Sequence, residues 1–243
     1  MTYQQPALPR RPTTILFDLD DTLFDHAGTA RAALAASTSS LPFWQEIELE
    51  ELYNRYSELL EEMHPQVLAG RYSYLEARRI RFQRLLAPYG AMTTATEADD
   101  FAQLHYTHYR ALRQPVAGAL ALLVALKPQY RIGIVTNNRT AEQEDKLQYL
   151  GMTHLVDALI TSEDVGVTKP DPRIFQVAMQ HLHAAPAETV MVGDNWHADV
   201  IGALAVGIRP VWLNRFGATR KLATVEEITG FEPLAAVLQK IVG

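Results

Sequence analysis

The chain has 243 residues, 48 % of them apolar and 21 % charged, enough to bury the core of one large domain or two small ones. A net charge of −6 with no basic run argues against nucleic acid as the main partner, and the lack of cysteine excludes disulfides and suits a reducing compartment. The longest apolar run, VAGALALLVAL at 116–126, is far short of a membrane span.

In chain order, residues 1–12 (MTYQQPALPRRP) hold three prolines and no apolar signal-peptide region. They are expected to form a flexible arm, and the protein is expected to be cytoplasmic. TTILFD (13–18) reads as a first strand. It runs straight into the acids of DLDDTLFD, Asp18, Asp20, Asp21 and Asp25. A carboxylate at the end of a buried strand must be paired, neutralised or bound to a metal.

Residues 27–112 contain no strand-like run. Leu49, Leu52, Tyr53, Tyr56, Leu59, Leu60, Met63 and Val67 step at three and four; Leu75, Phe82, Leu86 and Tyr89 make a second stripe; Phe101, Leu104 and His108 suggest a third. This predicts an all-helical insertion, with hinges at Leu23–Gly28 and Leu112–Gly118. From 113 onward, strands and helices alternate. RIGIVT (131–136), DALIT (157–161), TVMVG (189–193) and RPVWLN (209–214) are near-continuous apolar runs, the mark of strands covered on both faces. Helices are predicted over 172–182, with Asp171 as N-cap and Pro172 at N1, and over 198–206, ended by Gly207. The fold class is therefore α/β: a Rossmann-like, doubly wound parallel sheet over 13–26 and 113–243, interrupted by a helical cap over 27–112.

Residues i and i+2 of a strand point to one side, so Asp18 and Asp20 project together beyond the first strand. Ligands of such sheets bind outside the carboxyl ends of the strands. The other strand ends supply Thr136-Asn137-Asn138 and Gly193-Asp194, with Asp199 five residues on, and Lys169 lies in VTKPDP. Crowded carboxylates repel, a conflict that a hard divalent cation removes. Mg²⁺ is held by one or two carboxylates together with substrate phosphate and water. Lys169 and Thr136 suit a phosphate dianion. One carboxylate can serve as nucleophile and its neighbour as general acid and base.

These residues resemble the four motifs of the haloacid dehalogenase-like (HAD) superfamily: Asp18-Leu19-Asp20-Asp21-Thr22, Thr136, Lys169, and Gly193-Asp194 through Asp199. The resemblance spans residues 13 to 215, and the helical insertion looks like the cap of subfamily I. It implies attack on phosphorus by Asp18 and proton handling by Asp20. It also implies that Mg²⁺ is held by Asp18, the Asp20 carbonyl and Asp194, with Asp199 supporting Lys169 or a metal-bound water. Thr136, Lys169 and the Asn137 backbone N–H would bind the phosphoryl group. The wording around TNN, SEDVGVTKPDP and GDN is similar to small nucleotide and sugar-phosphate phosphatases. The expected partner is thus a small phosphorylated metabolite, with no nucleic acid or membrane, and a monomer or homodimer is expected. The alternatives are a phosphomutase on the same scaffold and a non-catalytic binding protein. A dehalogenase is disfavoured, because those relatives lack the second aspartate, here Asp20.

Other residues have two readings. Asn138 is a turn residue or a substrate contact. Arg71, beside Gly70, is a surface arginine or a contact to a second anionic group on the substrate. Trp196 and His197 pack or touch the ligand. His105, His108, His181 and His183 lack acidic partners at metal-binding spacing and read as core or surface histidines.

Overall fold

The computed structural model describes residues 11–41, 46–92, 94–219, 222 and 225–243. The arm expected over 1–12 lies outside the described residues up to position 10. The first strand, β1 (Thr14–Phe17), is buried along its whole length. Four long helices follow: α1 (His26–Thr38), α2 (Leu49–Leu68), α3 (Tyr74–Leu86) and α4 (Ala95–Ala111). Then come α5 (Ala119–Leu126), β2 (Arg131–Thr136), α6 (Thr140–Tyr149), β3 (Ala158–Thr161), α7 (Ser162–Val165), α8 (Pro172–His181), β4 (Thr189–Gly193), a π-helical turn (Trp196–Ile201), α9 (Gly202–Ala205), β5 (Arg209–Leu213), β6 (Glu226–Ile228) and α10 (Leu234–Val242). The chain divides into two compact units, Met1–Asp25 with Gln114–Gly243, and His26–Arg113.

In the first unit six parallel strands form one sheet in the order β3-β2-β1-β4-β5-β6. The chain builds outward from β1 through β2 and β3, then crosses back to β4. The order therefore reverses beside β1, the place where open α/β sheets leave a crevice for ligands. Phe17 is level with Ile134 on one side and Val192 on the other, so Asp18, Thr136 and Gly193 finish neighbouring strands. One core face packs Leu16, Val135 and Met191 against Ile174, Phe175 and Ala178 of α8. Gly133 makes this close approach possible, since a Cβ there would lie 2.6 Å from Leu182 and 2.8 Å from Leu16. The predicted start of α8 is observed: the Asp171 side chain accepts the Arg173 N–H, with Pro172 at N1. Beyond β1 the polypeptide is tied across itself. Asp25 N–H donates to Gln114 O at 3.0 Å, and Val116 N–H to Leu23 O at 2.9 Å.

In the second unit every regular element among the described residues is a helix, and the core centres on Leu34, Leu59, Phe82 and Leu86, all fully buried. Ser73 and Thr94 each open a helix with a reciprocal capping box, to Glu76 and Glu97 respectively. Two of the predicted stripes shift. In α4 the buried positions are Ala98, Phe101, Ala102 and His105, while Leu104 is exposed. Leu75 is also exposed, and α3 buries Ala77, Arg81, Phe82, Leu85 and Leu86 instead.

Candidate active site

Asp18 continues the ladder past β1, its N–H donating to Val192 O at 3.0 Å. Directly after it the chain turns tightly. Leu19, fully buried on the opposite side, accepts the N–H groups of Leu23 and Phe24, each at 2.9 Å, through its carbonyl. The turn needs a left-handed residue at Asp21 (φ 60°), a conformation that aspartate tolerates better than most side chains.

Lys169 is buried between two carboxylates, its Nζ 2.6 Å from Asp18 Oδ1 and 2.7 Å from Asp199 Oδ1. Burial opposes its charge, but Asp18 and Asp199 more than compensate and hold the ammonium above its ordinary range. Asp199 is placed by a close approach. A Cβ on Gly193 would lie 2.3 Å from Asp199 Oδ2, and that same oxygen accepts the Asn195 N–H at 3.0 Å. The Asn195 side chain caps the π-helical turn, accepting from His197 N–H and Ala198 N–H.

Asp194 is held by Thr22, whose hydroxyl donates to Oδ1 at 3.1 Å and accepts the Asp194 N–H at 3.2 Å. The Asp194 carbonyl accepts from Trp212 Nε1 at 2.8 Å, and Trp196 packs edge-on against the Trp212 ring. Asp18, Asp194 and Asp199 each bring a carboxylate oxygen within 4.8 Å of the others. Burial pushes the Asp18 carboxyl up to about 7, with Lys169 opposing and Asp199 and Asp20 adding to the rise. Burial likewise raises Asp194 well above its ordinary range, with Asp18 and Asp199 adding. Such an all-oxygen group fits a hard divalent cation, whose charge would let the acids ionise together. Asp18 Oδ1 is engaged by Lys169 and Asp194 Oδ1 by Thr22.

The Asp20 side chain is not part of that group. Its Oδ1 receives Lys146 Nζ at 2.5 Å, and its Oδ2 accepts from Gln143 Nε2 at 3.0 Å and Asn138 Nδ2 at 3.3 Å. Asn138 is thus a partner of Asp20, a role neither sequence reading assigned. Asn137 joins two loops: its Oδ1 accepts Lys169 N–H at 2.6 Å and its Nδ2 donates to Lys169 O at 3.0 Å. Thr136 is buried, and its Oγ1 accepts from Gln143 Nε2 at 2.6 Å. Arg71 is exposed in the helical unit and donates to Gln66 Oε1. His105 is a core residue, whereas His181 is exposed and bonds Val177 O. Sequence reasoning missed Gln143, Lys146 and Asn195 and gave Thr22 no role. The available signal was a Gln and a Lys three residues apart in the helix that follows the Thr136 strand.

A haloacid dehalogenase-like hydrolase profile matches residues 12–207. The glyceraldehyde 3-phosphate phosphatase of Methanothermobacter thermautotrophicus is 30 % identical over 208 residues, covering 82 % of this chain and 84 % of that protein. Among solved structures, the magnesium-bound HAD-hydrolase YfnB of Bacillus subtilis superposes with a TM-score of 0.74 at 25 % identity, over 94 % of this chain and 99 % of its own. A haloacid dehalogenase of Pseudomonas syringae superposes with a TM-score of 0.62 at 26 % identity, over 94 % and 99 %. The profile runs from β1 through β4 and takes in Asp18, Asp20, Thr136, Lys169, Asp194 and Asp199, and by it the chain belongs to the haloacid dehalogenase-like hydrolases.

Proposed function

We propose that the protein is a Mg²⁺-dependent phosphomonoesterase acting on a small phosphorylated metabolite, a sugar phosphate or nucleoside monophosphate. The carrying observation is the buried Lys169 held between Asp18 and Asp199, with Asp194 completing an oxygen cluster beside Thr136. A relative named for glyceraldehyde 3-phosphate supports the substrate class.

Asp18 binds phosphorus through one carboxylate oxygen as the ester P–O bond breaks, and the electron pair leaves on the substrate oxygen. Asp20 gives that oxygen its proton. Water then attacks phosphorus and passes a proton back to Asp20, the Asp18–phosphorus bond breaks, and phosphate departs. Thr136, Lys169 and the Asn137 N–H are the phosphoryl contacts. When held by Asp18, the Asp20 carbonyl and Asp194, Mg²⁺ offsets the negative charge of the carboxylates and phosphoryl oxygens. Asp199 holds Lys169 in place. A halide leaves without a proton, so an acid in the role proposed for Asp20 favours an oxygen leaving group over dehalogenation. Arg71 is proposed as a contact to a second anionic group of the substrate.

The test is a panel of phosphorylated metabolites with free phosphate as the readout. Release is expected in Mg²⁺ and its loss in a chelator. Full activity after rigorous metal removal would defeat the metal assignment, and transfer to a second hydroxyl without free phosphate would make the enzyme a mutase.

A further inference from the structure

Helix α6 presents Gln143 and Lys146, three residues apart and so neighbours on one face, to the site. Gln143 is fully buried and Lys146 nearly so. A polar pair at such positions is costly unless it is satisfied. Lys146 Nζ meets Asp20 Oδ1 at 2.5 Å and lies 5.0 Å from the centre of the Phe24 ring, which closes the turn after Asp20. Gln143 Nε2 reaches both Asp20 Oδ2 and Thr136 Oγ1. One amide nitrogen therefore links the end of β2 to the turn after β1. Because Thr136 Oγ1 accepts from Gln143, its own hydrogen is left to donate elsewhere, as a ligand anion requires. A buried ion pair kept for stability alone is replaceable by apolar residues, often at no loss. This one instead grips an acid that adjoins the carboxylate cluster.

We propose that Gln143 and Lys146 are positioning residues: Lys146 fixes the Asp20 carboxylate for proton transfer, and Gln143 sets Asp20 and the Thr136 hydroxyl in register. The inference rests on the phosphatase reading, and it makes a prediction that a merely structural pair does not. An aryl ester such as para-nitrophenyl phosphate expels a phenolate that is stable without a proton. An alkyl ester such as glycerol phosphate expels an alkoxide that needs one. A misplaced Asp20 therefore harms the alkyl ester selectively.

The experiment measures kcat/KM for both esters in the full chain with Mg²⁺, for wild type, Lys146→Met and Lys146→Arg. Since kcat/KM reports events through the first irreversible step, slow hydrolysis of the phosphorylated enzyme does not blur it. Lys146→Met should lose about 10²-fold or more on glycerol phosphate, the scale of general acid catalysis, and less than about threefold on the aryl ester. Lys146→Arg should recover part of the alkyl activity. Gln143→Leu should add a rise in KM of about fivefold shared by both esters, the scale of one hydrogen bond. Should Lys146→Met not fold, Lys146→Gln is read in the same way. Equal losses on both esters, or an alkyl rate unchanged or raised, would overturn the inference while leaving the phosphatase reading intact. A wild-type enzyme inactive on every phosphate ester would bring down that reading, and this inference with it.

Discussion

Gly193 shows how far a single side chain is constrained here. Its missing Cβ is the space in which Asp199 Oδ2 sits, 2.3 Å from where that carbon would be. Backbone on one side and a buried ion pair on the other leave little room to yield. Gly193→Ala should push Asp199 off Lys169 and lower kcat by at least tenfold, at a stability cost of about 1–3 kcal/mol, the scale of overpacking. Paired kinetics and denaturant melts check this, and full activity in the alanine variant would refute the close-packing account. The residues that finish strands, Asp18, Thr136 and Asp194, were legible in the sequence because an apolar run ending in a polar residue is a visible signal. Gln143 and Lys146 were not, because polar residues on a helix normally face water and only the tertiary fold turns them inward. Asn138 does lie in a bend, but its bond to Asp20 was not legible either, because that partner is 118 residues away.

At the scale of elements, the five strands buried on both faces announce themselves as apolar runs. The edge strand β6, Glu226–Ile228, does not, because only Ile228 is buried. Helix α1 also escaped notice: its buried face is largely alanine, threonine and serine, which carries little hydrophobic contrast. The third stripe slipped for a related reason, since Ala102 and His105 fill positions that a count of large apolar residues passes over. The turn between β1 and α1 depends on a distant residue. Arg215 donates to Asp21 O at 3.1 Å and to Asp25 Oδ1 at 2.7 Å. Arg215→Met should destabilise the protein by about 1–2 kcal/mol, charge-assisted hydrogen bonds discounted for partial exposure. It should also reduce kcat, because the same turn carries Asp20 and Thr22. Urea melts together with kinetics decide it. An unchanged midpoint and rate would show that the turn holds without the arginine.

For the whole molecule, the acid cluster couples stability to pH and metal. The Asp18 carboxyl sits at about 7 in the folded chain against an ordinary 3.8. Between those values the folded chain keeps a proton that the unfolded chain has lost. Stability without metal therefore falls as pH rises from about 4 to about 7 and is flat in this respect below that window. Lys169, raised by its two carboxylates, contributes a stabilisation that stays constant across it. Mg²⁺ competes with protons for the same oxygens, so its stabilising effect should grow with pH. Melting curves with and without Mg²⁺ should give a clearly larger upward shift at about pH 8 than at about pH 5. Equal shifts at both would separate the cation from these carboxylates.

The central claim, that phosphoryl passes through Asp18, is tested most directly by acid-quenching the Asp20→Asn enzyme after mixing with substrate and Mg²⁺, then mapping the phosphoryl group by peptide mass. Without its general base that variant should hydrolyse the intermediate about 10²–10⁴ times more slowly and accumulate it. The account predicts one phosphoryl group per chain, on the peptide containing Asp18, and none in Asp18→Asn with Asp20→Asn. Phosphate release with no labelled Asp18, or a vigorous Asp18→Asn enzyme, would contradict it.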